Sequence, residues 1–278
     1  DIIEKLVIVA QAHRRILVTM PTGSGKSLVA LAIAKRCLEN NKRFLFFAPN
    51  REIVFQISKL FRDNGIDFGR ILGDEPHDPT LTVQIATIQS LYSKGFRRKT
   101  IDMPRADVVI ADEAAHGGSD SWQKVISSYP EAFVVGMTAT PVAKNGVGLG
   151  ICFDTLVKGP SISDLTMDGW LVPAKYYVPA IPDLTGLRVQ AGDYVESELE
   201  SRMDKIQLVG DICENWSRVA KDRKTLVFAC SVKHSQHIAE QFKSIGVPAA
   251  HLDGKTPDRE RDRIVGQFKA GEIQVLSN

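Results

Sequence analysis

Apolar positions along this chain follow two alternating patterns. Short, nearly continuous apolar runs at residues 16–18, 43–48, 82–86, 107–111 and 133–137 have the make-up of strands buried on both faces. Between them, apolar residues return at helical spacing across 28–40, and again at Ile53, Val54, Ile57, Leu60 and Phe61, where Asn64 and Gly65 stop the helix. Short helices fit near 88–93 and 121–128. Strands alternating with helices predict a parallel α/β sheet, with its functional loops at the carboxyl ends of the strands.

The pattern then breaks and resumes. Residues 142–160 are glycine-rich and read as irregular, after which Ser161 opens a short helix that Gly169 ends. Residues 172–193, with three prolines and two glycines, read as an extended connector. Ile206, Val209, Cys213, Trp216 and Ala220 form a helical stripe assigned to core packing. A second α/β set follows, with strands at 225–230, 249–252 and 273–277. One helix runs through Ile238, Ala239, Phe242 and Ile245, and another through Ile264, Val265 and Phe268. Thr256 is the expected N-cap of that second helix, with Pro257 at its first position. The chain divides on this reading into a lobe at 1–170, a linker at 171–205 and a smaller lobe at 206–278.

Composition adjusts this picture modestly. At 278 residues, with 44% hydrophobic and 24% charged positions, the chain reads as a soluble globular protein of two domains. A net charge of +2 means that any basic surface must be local. The four cysteines (Cys37, Cys152, Cys213 and Cys230) have no metal-like spacing and fit reduced thiols of a cytosolic protein. No apolar run approaches the roughly 18 residues that span a bilayer, and no secretory signal opens the chain, so no membrane partner is expected. The first residue is Asp1 rather than methionine, which suggests a fragment.

Three segments carry chemistry. Met20-Pro21-Thr22-Gly23-Ser24-Gly25-Lys26-Ser27 joins a strand to a helix, the arrangement that cradles a polyphosphate on backbone N–H groups. Lys26 would reach the β- and γ-phosphates and Ser27 would bind Mg²⁺. Met20 stands where the strict pattern has glycine, and a glycine turn before an ordinary helix is the competing explanation. At 107–113 an apolar strand delivers Asp112 and Glu113 to its carboxyl end, where one carboxylate can hold Mg²⁺ and the other activate water. A solvated turn is the alternative for that pair standing alone. Thr138 and Thr140, which follow the strand at 133–137, have no catalytic acidity, but their hydroxyls could relay hydrogen bonds from the carboxylates to a neighbouring surface.

In this order and spacing, Gly-Ser-Gly-Lys-Ser, Asp-Glu-Ala and Thr-Ala-Thr-Pro resemble motifs I, II and III of superfamily 2 helicases, most closely the DEAH type of bacteria and phages. Residues 48–52 resemble motif Ia, 86–91 motif Ib and 226–231 motif IV. The resemblance implies a P-loop NTPase with two RecA-like lobes, the second incomplete, ATP in the cleft between them, and Mg²⁺. It implies a catalytic set of Lys26, Asp112 and Glu113, an ATP-binding loop from Pro21 to Ser27, and coupling through Thr138, Thr140 and His116. Arg51, with Asn50 and Thr87 as neutral donors, would contact a nucleic-acid backbone without reading its sequence. The expected activity is that of an ATP-dependent helicase or translocase, on DNA rather than RNA, in the cytosol of a bacterium or of a phage-infected host. The alternatives are a duplex translocase that does not unwind, or a nucleic-acid-binding module with a decayed ATPase.

Departures from the family pattern bear on that expectation. A DEAH box has histidine where this chain has Ala115, with His116 one place late. Residues 275–278 resemble the opening of motif V, so the arginine finger would lie beyond Asn278 and the glutamine motif before Asp1. Slow hydrolysis, a poorly stable second lobe and an unpaired last strand are therefore expected. The basic run Lys94, Arg97, Arg98 and Lys99 reads as a solvated surface.

Overall fold

The computed structural model describes residues 2–142, 148–177, 184–190, 193–203 and 206–278. The chain forms two compact units, Asp1–Ala174 and Lys175–Asn278.

In the first unit the strands are β1 (Arg15–Thr19), β2 (Phe44–Ala48), β3 (Gly69–Ile71), β4 (Val83–Thr87), β5 (Val108–Asp112), β6 (Phe133–Thr138) and β7 (Thr155–Lys158). The helices are α1 (Ile2–Val9), α2 (Lys26–Glu39), α3 (Arg51–Asp63), α4 (Ile88–Leu91), α5 (Asp120–Ser127) and α6 (Ile162–Met167). All seven strands are parallel, in the order β3-β4-β2-β5-β6-β1-β7. Their near-continuous apolar runs follow from burial on both faces. Phe44 and Phe46 join a cluster under α2 and α3, while Leu45 and Phe47 join one with Trp122, Val125 and Ile126 of α5. Gly136 in β6 is required by that second cluster, because a Cβ there would sit 2.3 Å from the Phe153 ring.

Several expectations change here. Residues 142–160 are not wholly irregular, since β7 pairs with β1 as an edge strand after a 3₁₀ turn at Leu149–Ile151; positions 143–147 lie outside the described residues. Its half-exposed alternation, in place of an unbroken apolar run, hid β7 from the sequence pattern. Helix α1 and the three-residue β3 were also not read. The helix opened by Ser161 carries a capping box with Asp164.

The second unit contains a two-residue antiparallel ladder, β8 (Val189–Gln190) with β9 (Asp193–Tyr194), inside the segment expected to be a plain connector. Residues 178–183 and 191–192 of that connector lie outside the described residues. Next come α7 (Glu196–Met203), α8 (Ile206–Val219), β10 (Thr225–Val227), α9 (Val232–Ser244), β11 (Ala249–His251), α10 (Asp258–Ala270) and β12 (Val275–Ser277). The last strand is not an edge. Its sheet runs β10-β12-β11, so β12 is paired on both sides. Thr256 does not cap α10, whose cap position is Pro257; the Thr256 hydroxyl instead accepts from the Asp253 N–H at 3.0 Å. The thiols of Cys37, Cys152 and Cys213 are buried and unpaired, and Cys230 is half-buried.

Candidate nucleotide and nucleic-acid site

The first unit gathers its polar chemistry at the carboxyl ends of its strands. After β1 the chain turns through Gly23 (φ 82°) and Gly25 (φ 88°), left-handed conformations that cost a side-chain-bearing residue about 1–2 kcal/mol. Gly25 occupies the N-cap of α2. Among the described residues, the backbone N–H groups of Gly23, Gly25, Lys26 and Ser27 donate to no protein acceptor. They form a concave set of free donors at a positive helix end, suited to a phosphate. The Lys26 ammonium folds back on the loop and donates to the carbonyls of Met20 (3.3 Å) and Pro21 (3.5 Å). Met20 is buried, and a Cβ on Gly159 would meet its Cγ at 2.7 Å, so this side chain fills the contact between the loop and the chain leaving β7. Beside the loop, Ile3, Leu28, Val29, Pro160 and Asp164 are among the residues lining a cavity of about 570 Å³.

Two strands away, β5 ends at Asp112, which is only 7% exposed. Its Oδ1 is buried without a hydrogen-bond partner. Burial is the main reason its carboxyl is pushed up to about 6; the backbone N–H of Glu113 and the Lys26 charge oppose that rise, and the Glu113 carboxylate adds to it. An orphaned, buried carboxylate oxygen fits a hard cation. Among the described residues no three His, Cys, Asp or Glu side chains converge as a metal cage. A Mg²⁺ ion held by one carboxylate, one hydroxyl and substrate phosphates needs no such cage. Glu113 has φ 56° and ψ 45°, an uncommon conformation for a non-glycine residue and one that turns the chain sharply out of the strand.

Strand β6 lies between β1 and β5 and carries Thr138. The Thr138 carbonyl accepts the N–H of Met20 at 2.9 Å, so the backbone ties the third segment to the phosphate loop. The expected hydroxyl relay is not formed. Thr138 Oγ1 donates to the Thr140 carbonyl at 3.0 Å and accepts the Thr140 N–H at 3.1 Å, closing its own turn. His116 is not simply solvated: its ring stacks on Trp122 with centroids 6.1 Å apart.

The expected strand-contact residues lie further along the same edge, at the ends of β2 and β4. Asn50 is the N-cap of α3, with no side-chain capping bond, and Arg51 is the first residue of that helix. Thr87 is not available as a donor, because it is buried and its hydroxyl is engaged with Ser90 at 2.8 Å, capping α4. Sequence reasoning missed Arg70 on β3 and Glu75 beyond it, which surround Arg51. The only hint was a glycine and two acidic residues after a strand too short to show a period.

A seven-stranded parallel sheet with free N–H donors after β1 and paired carboxylates after β5 defines a RecA-like P-loop NTPase lobe. The chain belongs to the superfamily 2 helicases, through the family described as "Type III restriction enzyme, res subunit", which matches residues 1–143. A second profile, "Helicase conserved C-terminal domain", matches 204–278. A 51.5 kDa protein of a Lactococcus phage (isolate 7-9) is 31% identical over 263 residues, covering 94% of this chain and 54% of that protein. The irc3 protein of Schizosaccharomyces pombe, named as a candidate mitochondrial ATP-dependent helicase, is 26% identical over 96% of this chain and 46% of its own length. The chain thus spans about half the length of these relatives. The crystal structure of the Pyrococcus furiosus Hef helicase domain shares the fold, with a TM-score of 0.57 at 16% identity over 99% of this chain and 85% of that one. No helix among the described residues is long and apolar enough to cross a membrane.

Proposed function

We propose that the chain is part of an ATP-driven motor that moves along DNA. The observation that carries this reading is the buried, unpartnered Asp112 Oδ1, which together with the free N–H groups of the loop provides separate places for a cation and for phosphates. On ATP binding Lys26 leaves the Met20 and Pro21 carbonyls for the β- and γ-phosphates, while the N–H groups of Gly23, Gly25, Lys26 and Ser27 take the remaining oxygens. Asp112 and Ser27 would hold Mg²⁺, which would supply charge neutralisation on the phosphates. Glu113 orients the attacking water and takes its proton. The apolar cavity beside Leu28 and Pro160 has room for the nucleoside. Movement of the loop would reach the Thr138–Thr140 turn through the Met20–Thr138 backbone bond, and His116 on Trp122 is the second coupling point.

Arg51 and Asn50 take backbone phosphates of the strand. A DNA substrate, and duplex translocation without unwinding as a second reading, are supported by the restriction-enzyme family description. The phage relative supports the cytosol of an infected bacterium as the site of action. The test is phosphate release with DNA, with RNA and with neither. We expect stimulation by DNA and its loss in Lys26→Ala. No release under any condition, with DNA still bound, would replace the motor by a binding module. Triplex displacement without strand separation would select the translocase.

A further inference from the structure

Beyond β3 the loop from Leu72 to Thr80 brings a carboxylate into a group of cations. Glu75 Oε2 accepts from Arg70 Nε at 2.9 Å and from Nη2 at 2.6 Å, while Oε1 faces Arg51 Nη2 at 3.9 Å. Both guanidinium groups lie over the ring of Phe55, at 5.9 Å for Arg51 and 5.2 Å for Arg70. That ring is 42% exposed. Lys94 Nζ donates to the Glu75 carbonyl at 3.4 Å, and Arg98 pairs with Asp74 at 3.5 Å. The loop is pinned by the Gly73 N–H on Ser90 Oγ at 2.9 Å. Three cations thus meet two carboxylates, with Lys94 on the loop backbone, near the carboxyl ends of three neighbouring strands, β3, β4 and β2, of an almost neutral chain.

One guanidinium fork, from Arg70, and a second guanidinium, Arg51, approaching through a single nitrogen converge on one carboxylate, a charge arrangement that can also receive a phosphate. The Phe55 ring attracts both guanidinium groups, which lowers the entropy they lose on binding. Glu75 is a weak occupant. Its side chain is 34% exposed, against 31% for Arg70 and 63% for Arg51, so solvent screens both pairs. A nucleic-acid phosphate that also releases condensed counterions competes well against such an occupant.

We infer that Glu75 stands in for a backbone phosphate between Arg51 and Arg70, that Arg70 is a strand-contact residue beside Arg51, and that the strand displaces the Glu75 carboxylate when it binds. This rests on the reading that the first unit binds nucleic acid.

The signs of two substitutions separate this from a purely structural ion pair. Fluorescence anisotropy of a labelled oligothymidylate, titrated with the whole chain without nucleotide from 50 to 200 mM salt, reads the affinity. We expect Glu75→Gln to tighten binding about two- to fivefold. Arg70→Ala should weaken it about fivefold and reduce the salt slope by about one, and Arg70→Lys, which keeps the charge and loses the fork, should fall between. If Glu75→Gln and Arg70→Ala weaken binding alike, the pair only braces the loop and the inference is overturned. It is also overturned if neither changes binding while Arg51→Ala weakens it, a result that leaves the underlying reading intact. No binding by the unsubstituted chain at 50 mM salt defeats that reading and the inference together.

Discussion

Asp112, the proposed Mg²⁺ ligand, shows what burying a carboxylate costs the fold that holds it. Its carboxyl sits near 6 against an ordinary 3.8 because burial disfavours the anion, so the free protein is penalised for ionising it. The penalty is absent below the unfolded value, grows as pH rises through the folded one, and is complete above it. Near-complete burial sets it on the order of 1–3 kcal/mol. Asp112→Asn removes the titration. Without metal that variant should melt several degrees above the parent at pH 8 and level with it near pH 4, while hydrolysing no ATP. A lower melting temperature for the variant at pH 8, measured by calorimetry, would show that the anion is already compensated. If Asp112 is the ligand proposed, the free protein's affinity for Mg²⁺ should weaken as pH falls below 6, where the carboxyl takes up a proton that the metal must displace. The residue types at Lys26, Ser27, Asp112 and Glu113 were legible in the sequence because the first two close a glycine-bearing loop after an apolar strand and the last two stand at the end of another, which fixes where they must emerge. Arg70 and Glu75 were not, because their meeting depends on a loop path and on a ring, Phe55, from another element.

At the scale of elements, the central strands were readable and their exact pairing was not. Burial on both faces writes β2, β4, β5 and β6 as apolar runs, whereas β7 at the edge alternates and β3 is three residues long. Strand order depends on contacts such as Arg43–Asp107, which the sequence does not announce. The Asp107 carboxylate accepts from the Arg43 backbone N–H at 2.8 Å and from its guanidinium at 3.1 Å, pinning the starts of β2 and β5 in the Phe44–Val108 register. The guanidinium, then the backbone N–H, hold the Asp107 carboxyl down at about 2. This stabilisation is present above the ordinary carboxylate value and lost as pH falls towards 2. Because the pair is part-solvated, Asp107→Ala should cost about 1 kcal/mol at pH 7. Urea titrations should show that difference closing between pH 4 and pH 2. A constant difference over that range would assign the cost to packing.

Across the whole molecule the two units differ in how much core they own. The first clamps seven strands between two apolar clusters; the second has a three-stranded sheet with two small clusters, one around Trp216 and Phe242 and the other around Leu252, Ile264 and Leu276. On its edge strand and just beyond, Leu226 is 57% exposed and Phe228 80%, apolar surface that earns nothing from burial. Pairing of β12 on both sides secures that strand within its sheet but adds no layer over β10. Heating should therefore unfold the chain in two steps, with Lys175–Asn278 opening first, since separate cores need not melt together. Amide hydrogen exchange can assign the steps. Val275 to Ser277, although central in their sheet, should exchange with the first transition, and Val134 to Met137 with the second. Magnesium and ATP should raise only the step that contains the phosphate loop, and Lys26→Ala should abolish that rise. A single transition, with β12 and β6 amides protected to the same temperature, would mean that the smaller unit draws its stability from the larger.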